Sequence, residues 1–263
     1  MKDSAEHGAR LKRLCARIRR EMGAQAVSAG HDPTTELVLA CLSAGTTEAK
    51  ARTTLNRLRS NFVDFNELRV SRPDEIVEIL GKNFPQGTDT AEAILAALRE
   101  LFDLRDTLDM TDLIEGGKRE AKVFLEGLEN LTPYMIACVL LHSLDAHAFP
   151  VNAQMMDMLR GGDVITAKAD AGNVQGFLER QLSATTIRKT YILLRKYADS
   201  YRGVAKTSKK TGKKAAKKTK TTSTKKTAKK AAKKTTKKTT KTTTKKTAKK
   251  ATKTTTKNTN TES

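Results

Sequence analysis

From Gly203 onward the chain is almost wholly lysine, threonine and alanine, and beyond Val204 it holds no large apolar residue. Such a segment cannot bury enough surface to offset the ~1–2 kcal/mol per residue that backbone ordering costs, so residues 203–263 are expected to be disordered when free. They carry 23 Lys, no Arg and one acid, Glu262, a local charge of +22. Residues 1–202 hold 27 basic against 28 acidic side chains and are close to neutral. A folded body is therefore expected in 1–202, and the net charge of +21 belongs to a tail, 203–263.

The tail's lysines come in doublets, among them Lys213-Lys214, Lys217-Lys218, Lys225-Lys226 and Lys229-Lys230. Regular charges along an extended chain suit a polyanion with closely repeated phosphates, bound through counterion release. With no aromatic residue to stack and no Arg to fork onto guanine, the tail is expected to bind double-stranded DNA without reading sequence. A solubilising tail, or a tether to an acidic or membrane surface, would have the same composition. That composition resembles linker-histone-like tails.

Cys15, Cys41 and Cys138 form an odd, widely spaced set that fits neither a disulfide framework nor a zinc or iron–sulfur site, and no metal or cofactor is expected. The longest apolar run, Met135 to Leu141, is far short of the ~20 residues that span a bilayer, and the N-terminus opens on charged residues. The expected location is the cytoplasm at the nucleoid, or the nucleus of a eukaryote.

Helical periodicity recurs throughout the body, and no β-branched run alternates for longer than about four residues. Leu11, Leu14, Cys15, Ile18 and Met22 make one apolar stripe. Asp32-Pro33 reads as N-cap and first position of a second helix, apolar on most faces and hence central. A third begins near Thr46, with Ala49, Leu55, Leu58 and Phe62 facing inward. Ser71-x-Pro73-Asp74 opens a fourth that stops at Gly81, and 82–89 reads as a loop. Further helices are predicted at 90–104, 117–127, 133–144, 153–160, 171–182 and 184–200. An all-α body of about ten helices follows, as one domain or as two small lobes around a cleft.

The stretch Leu125 to Leu141 ends one helix and starts another within a few residues, with Thr132 as N-cap and Pro133 at the first position. A hairpin that tight points free N–H groups outward, a ready phosphate site; it is equally an ordinary helix corner. On Leu128 to Ile136 the sequence resembles the helix–hairpin–helix pattern Leu-Pro-Gly-Val-Gly-Pro-Lys-Thr-Ala of the endonuclease III-like DNA glycosylase superfamily. The family's Val-Asp-Thr-His-Val-x-Arg-Val falls on Val151 to Met158, and its Pro-x-Glu-Leu-Leu…Leu-Ser-Gln-Asn-Thr-x-Asp resembles Asp32-Pro33…Glu36-Leu37…Leu42-Ser43 to Glu48. The resemblance covers about 8–160. It implies a two-lobed helical body with the hairpin at about 117–144, DNA as partner, and Asn130, Thr132 and Tyr134 near the DNA backbone.

It also implies lost chemistry. The family's nucleophilic lysine is replaced by Tyr134, and a phenol cannot form the imine that strand cleavage needs. The family's aspartate is replaced by Asn152, whose neutral amide supplies no negative charge; losing such a contact costs roughly 3–4 kcal/mol. Asn152 is instead a strong N-cap for 153–160. The hairpin glycines are replaced by Asn130 and Thr132, and the pair that wedges into the duplex falls on Ala44 and Gly45. No iron–sulfur loop follows the last helix. The expectation is a DNA-binding protein of the glycosylase type without catalysis. The alternative is a monofunctional glycosylase in base-excision repair with a displaced carboxylate, for which Asp145, Asp157, Glu129 and Glu48 are candidates.

Overall fold

A computed structural model describes residues 4–27 and 30–202, and in them every regular element is a helix. The tail lysines named above lie outside the described residues. In chain order the helices are α1 Ser4–Met22, α2 Pro33–Ser43, α3 Glu48–Asn61, α4 Phe65–Val70, α5 Pro73–Leu80, α6 Gly87–Arg105, α7 Asp112–Gly116, α8 Lys118–Glu126, α9 Pro133–His142, α10 Ala153–Gly161, α11 Ala171–Gln181 and α12 Ala184–Ser200.

Short polar side chains start six of them, each occupying an orphan N–H of the first turn. Asp32 accepts from Thr35 N at 2.9 Å, Thr47 from Lys50 N at 3.3 Å, Asp64 from Glu67 N at 2.8 Å and Asp170 from Asn173 N at 3.2 Å. The fourth expected helix is α5, which opens at Pro73 and stops at Gly81 as read, but a short helix, α4, precedes it. Ser71 ends α4, and α5 starts after Arg72, whose backbone N–H donates to Glu75 at 3.3 Å. In α3 the inward residue near the start is Ala51, while Ala49 is exposed.

The side chains bury in two clusters. One gathers α2 to α9; the other joins α1 to α10, α11 and α12, so the chain's first helix packs with its last three. The two-lobed layout is thus present, with α2 and α9 as the central pair. Both helices are apolar nearly all round, every residue of α2 being buried, as their composition requires of a helix covered on several sides. They run antiparallel: Ser43 meets Tyr134, Cys41 meets Met135, and Ser143 bonds His31 O at 2.9 Å. Cys15, Cys41 and Cys138 are buried and free. Burial pushes the Cys15 thiol up to about 11 and the Cys41 thiol to about 12, far from the thiolate a ligand or nucleophile needs.

Candidate nucleic-acid interface

The end of α2 is where the interesting side chains converge. Tyr134, one residue past the proline that starts α9, is 8% exposed, and its hydroxyl shares a 2.9 Å hydrogen bond with Ser43 Oγ. Burial holds this phenol well above its ordinary pKa. On the neighbouring residue, Ala44, the carbonyl accepts from Asn152 Nδ2 at 3.3 Å. Asn152 Oδ1 accepts from Met155 N at 3.0 Å, so this amide, 6% exposed, caps α10 and ties it to α2. Both polar ends of Asn152 are engaged in holding helices together.

Arg195 of α12 fastens the same corner. Fully buried at 1% exposure, it donates through Nη2 to Ser43 O at 3.1 Å and Thr46 O at 2.6 Å. Its Nε lies 3.2 Å from Asp199 Oδ1 without hydrogen-bond alignment, and Asp199 Oδ2 accepts from Glu48 N at 2.8 Å, bracing the first turn of α3. Burial raises the Asp199 carboxyl even beside this guanidinium.

Below the corner a polar column runs along the α2/α9 seam. Cys138, one turn after Tyr134, interacts with both the Tyr134 and Tyr191 hydroxyls. Deeper lies Glu36, 5% exposed, which burial pushes up to about 8 against the opposing pull of Arg52 and Arg188. Arg52 itself is committed to Glu48 Oε1, at 2.6 Å from Nη2 and 3.0 Å from Nε. Glu36 escaped the sequence reading as an ionisable group. The signal was present, an acid inside a helix apolar on every face, but nothing local shows what surrounds it.

The hairpin is α8, the turn 127–132 and α9, with Thr132 accepting from Met135 N at 3.3 Å. Two of its turn amides are taken. Glu100, from α6, accepts from Glu129 N at 2.5 Å, from Asn130 N at 2.9 Å and from Asn130 Nδ2 at 3.0 Å. A carboxylate of the chain itself occupies these donors. Replacing Glu100 with Ala is expected to speed amide hydrogen exchange at Glu129 and Asn130 and to cost about 1–2 kcal/mol of stability. Unchanged protection at those two amides would mean the contact does not hold in solution.

Gly45 shows a second detail invisible in local sequence. A Cβ there would stand 3.2 Å from Gln86 Oε1, so Gln86 lies over the place where a longer residue at 45 would project. Gln86 has left-handed backbone, φ 50° and ψ 44°, a conformation costing a non-glycine residue about 1–2 kcal/mol. Its loop is tied to α3 by Lys50 Nζ donating to Asn83 O at 2.6 Å, with the ammonium 5.2 Å from the Phe84 ring centroid.

The four candidate rescue carboxylates do not gather. Asp145 pairs with Arg188 at 3.7 Å, Asp157 with Arg160 at 3.2 Å and Glu48 with Arg52, while Glu129 is exposed on the hairpin turn.

No family model and no curated protein matches the sequence. Solved structures do. A trapped endonuclease III–DNA covalent intermediate superposes with a TM-score of 0.56 at 12% identity, over 72% of this chain and 85% of that one. A thermostable thymine-DNA glycosylase gives 0.54 at 14%, over 72% and 86%. The 8-oxoguanine glycosylase/lyase of Clostridium acetobutylicum, solved with double-stranded DNA, gives 0.56 at 13%, over 76% and 71%. The body has the endonuclease III-type DNA glycosylase fold. Within this glycosylase fold Tyr134 and Asn152 meet consecutive residues at the end of α2, and both are engaged in helix-to-helix hydrogen bonds.

Proposed function

We propose that this protein binds double-stranded DNA without excising bases, that its glycosylase-type body serves as a scaffold, and that the lysine-rich tail supplies most of the affinity. The observation that carries the reading is Asn152. An amide capping α10 and bound to Ala44 O cannot stabilise a cationic sugar or activate water, and of the candidate carboxylates Asp145, Asp157 and Glu48 are each paired with an arginine. Tyr134 supports it, since a buried phenol bonded to Ser43 is neither a nucleophile nor a base near neutral pH.

Among the described residues, Glu36 favours retained chemistry, as a carboxyl pushed up to about 8 is poised for proton transfer. It lies seven residues before Ser43 on α2, about 10 Å along the helix, beneath Cys138. From there it does not reach a sugar held at the corner. The two turn amides that hold Glu100 are not offered to a phosphate, in keeping with binding through the lysines. The reading calls for no metal or iron–sulfur cluster and places the protein at the nucleoid or in a nucleus.

The test is a salt titration of duplex binding by the full chain and by residues 1–202. Eight engaged lysines would give log K a slope of about −7 against log[salt], largely lost on truncation. Equal affinity and slope for the two forms would overturn the assignment to the tail.

A further inference from the structure

Helix α1 carries six of the body's 27 basic residues and only two of its 28 acidic ones. Of its five arginines, those at 10, 13, 17 and 20 are spaced three and four apart, so they share one face over about 15 Å of helix. The opposite face, Leu11, Leu14, Cys15 and Ile18, is buried in the second cluster, which fixes the arginine row outward. A groove of about 360 Å³ runs beside it, lined by Arg10, Arg13, Leu14, Arg17, Gly162 and Asp163.

The pairing of the row is uneven. Arg10 is held by Glu6 at 2.5 Å and by Asp163 O at 3.0 Å, which sets the groove's far wall. Arg17 reaches Glu21 only at 3.8 Å, both side chains being about half exposed, an attraction that water screens heavily. Arg13 and Arg20 have no ion-pair partner among the described residues. The end of the described chain comes back to this wall, because a Cβ at Gly161 would run into the Tyr201 hydroxyl.

We infer that the α1 row, centred on Arg13 and Arg17, is a phosphate-binding surface of the folded body for the backbone of duplex nucleic acid, separate from the hairpin. This rests on the reading that the protein binds DNA. The outward face of α1 offers no large apolar side chain to enter a lipid interface, which disfavours a membrane surface, and planar guanidiniums fit phosphate oxygens two at a time. Two of the hairpin's turn amides already hold Glu100 and are not offered to a phosphate, whereas the α1 guanidiniums at 13 and 17 face outward.

The test uses the full chain. Arg13→Ala/Arg17→Ala is compared with wild type and with Arg57→Ala/Arg72→Ala, which removes equal charge from exposed positions on α3 and just before α5. Losing two phosphate contacts flattens the salt slope by about 2 and weakens duplex binding by roughly tenfold or more near 0.15 M salt. The control pair is expected to shift affinity by less than about twofold, and thermal melts establish that all three proteins are folded. Equal behaviour of the two double variants overturns the inference and leaves the proposed function standing. A wild type without duplex affinity takes down the proposed function itself. Binding to phosphatidylserine vesicles that depends on Arg13 and Arg17, with duplex binding unaffected by them, overturns the inference in favour of a lipid surface.

Discussion

Replacing Arg195 with methionine is expected to destabilise the body by about 3–5 kcal/mol, the range seen when one partner of a buried ionic network is removed. Methionine nearly fills the volume but leaves Ser43 O and Thr46 O without their donor, and Asp199 without its counter-charge while it still accepts from Glu48 N. One guanidinium spans α12, the end of α2 and the start of α3, so a lysine, with a single ammonium, is expected to rescue little. At about 2–4 °C per kcal/mol for a body of this size, the melting midpoint falls by roughly 10 °C. A shift of only a degree or two would mean that the Arg195 contacts add nothing net.

Glu36→Gln is expected to stabilise the body, and increasingly so as pH rises. The folded-state carboxyl, at about 8, lies well above its ordinary value near 4.5, because burial disfavours the charge. Below about pH 4.5 the carboxyl is protonated whether folded or not, and its contribution to stability is fully present. Between 4.5 and 8 unfolding releases the proton, so the wild type loses about 1.4 kcal/mol per pH unit relative to the glutamine variant, reaching on the order of 3–5 kcal/mol. Above 8 the difference levels off. Denaturant unfolding of both proteins at pH 5, 7 and 9 measures it. A gap that does not widen with pH would show that Glu36 is ionised in the folded state, paired with Arg52 or Arg188.

What the chain declares locally was legible in its sequence. Asp32, Thr132 and Asn152 read as helix starts because a cap needs only its own next three residues, and each accepts the bond expected of it. Helices α4 and α7 were not, since six and five residues with one buried side chain each, Leu68 and Leu113, carry no periodicity. The hairpin was placed within a residue or two by Thr132-Pro133. Its occupancy was not, because Glu100 is 30 residues from Asn130 and reads as one more exposed acid on an amphipathic helix. Arg195 is 152 residues from Ser43, and an arginine in a helix is ordinarily read as solvated. At the candidate site, then, residue types and capping came from sequence, while the partners that fix each side chain's job are tertiary.

The measurement that bears most directly on the account is base release under single-turnover conditions. Excess full-length protein is incubated with duplexes carrying oxidised, mismatched or abasic nucleotides, alongside Asn152→Asp, which keeps an N-cap acceptor and restores a carboxylate while giving up the bond to Ala44 O. Wild type that retains every duplex yet releases no base and cleaves no strand is the result predicted, with any gain confined to the aspartate variant. Base excision by the wild type at a rate matching that variant would contradict it.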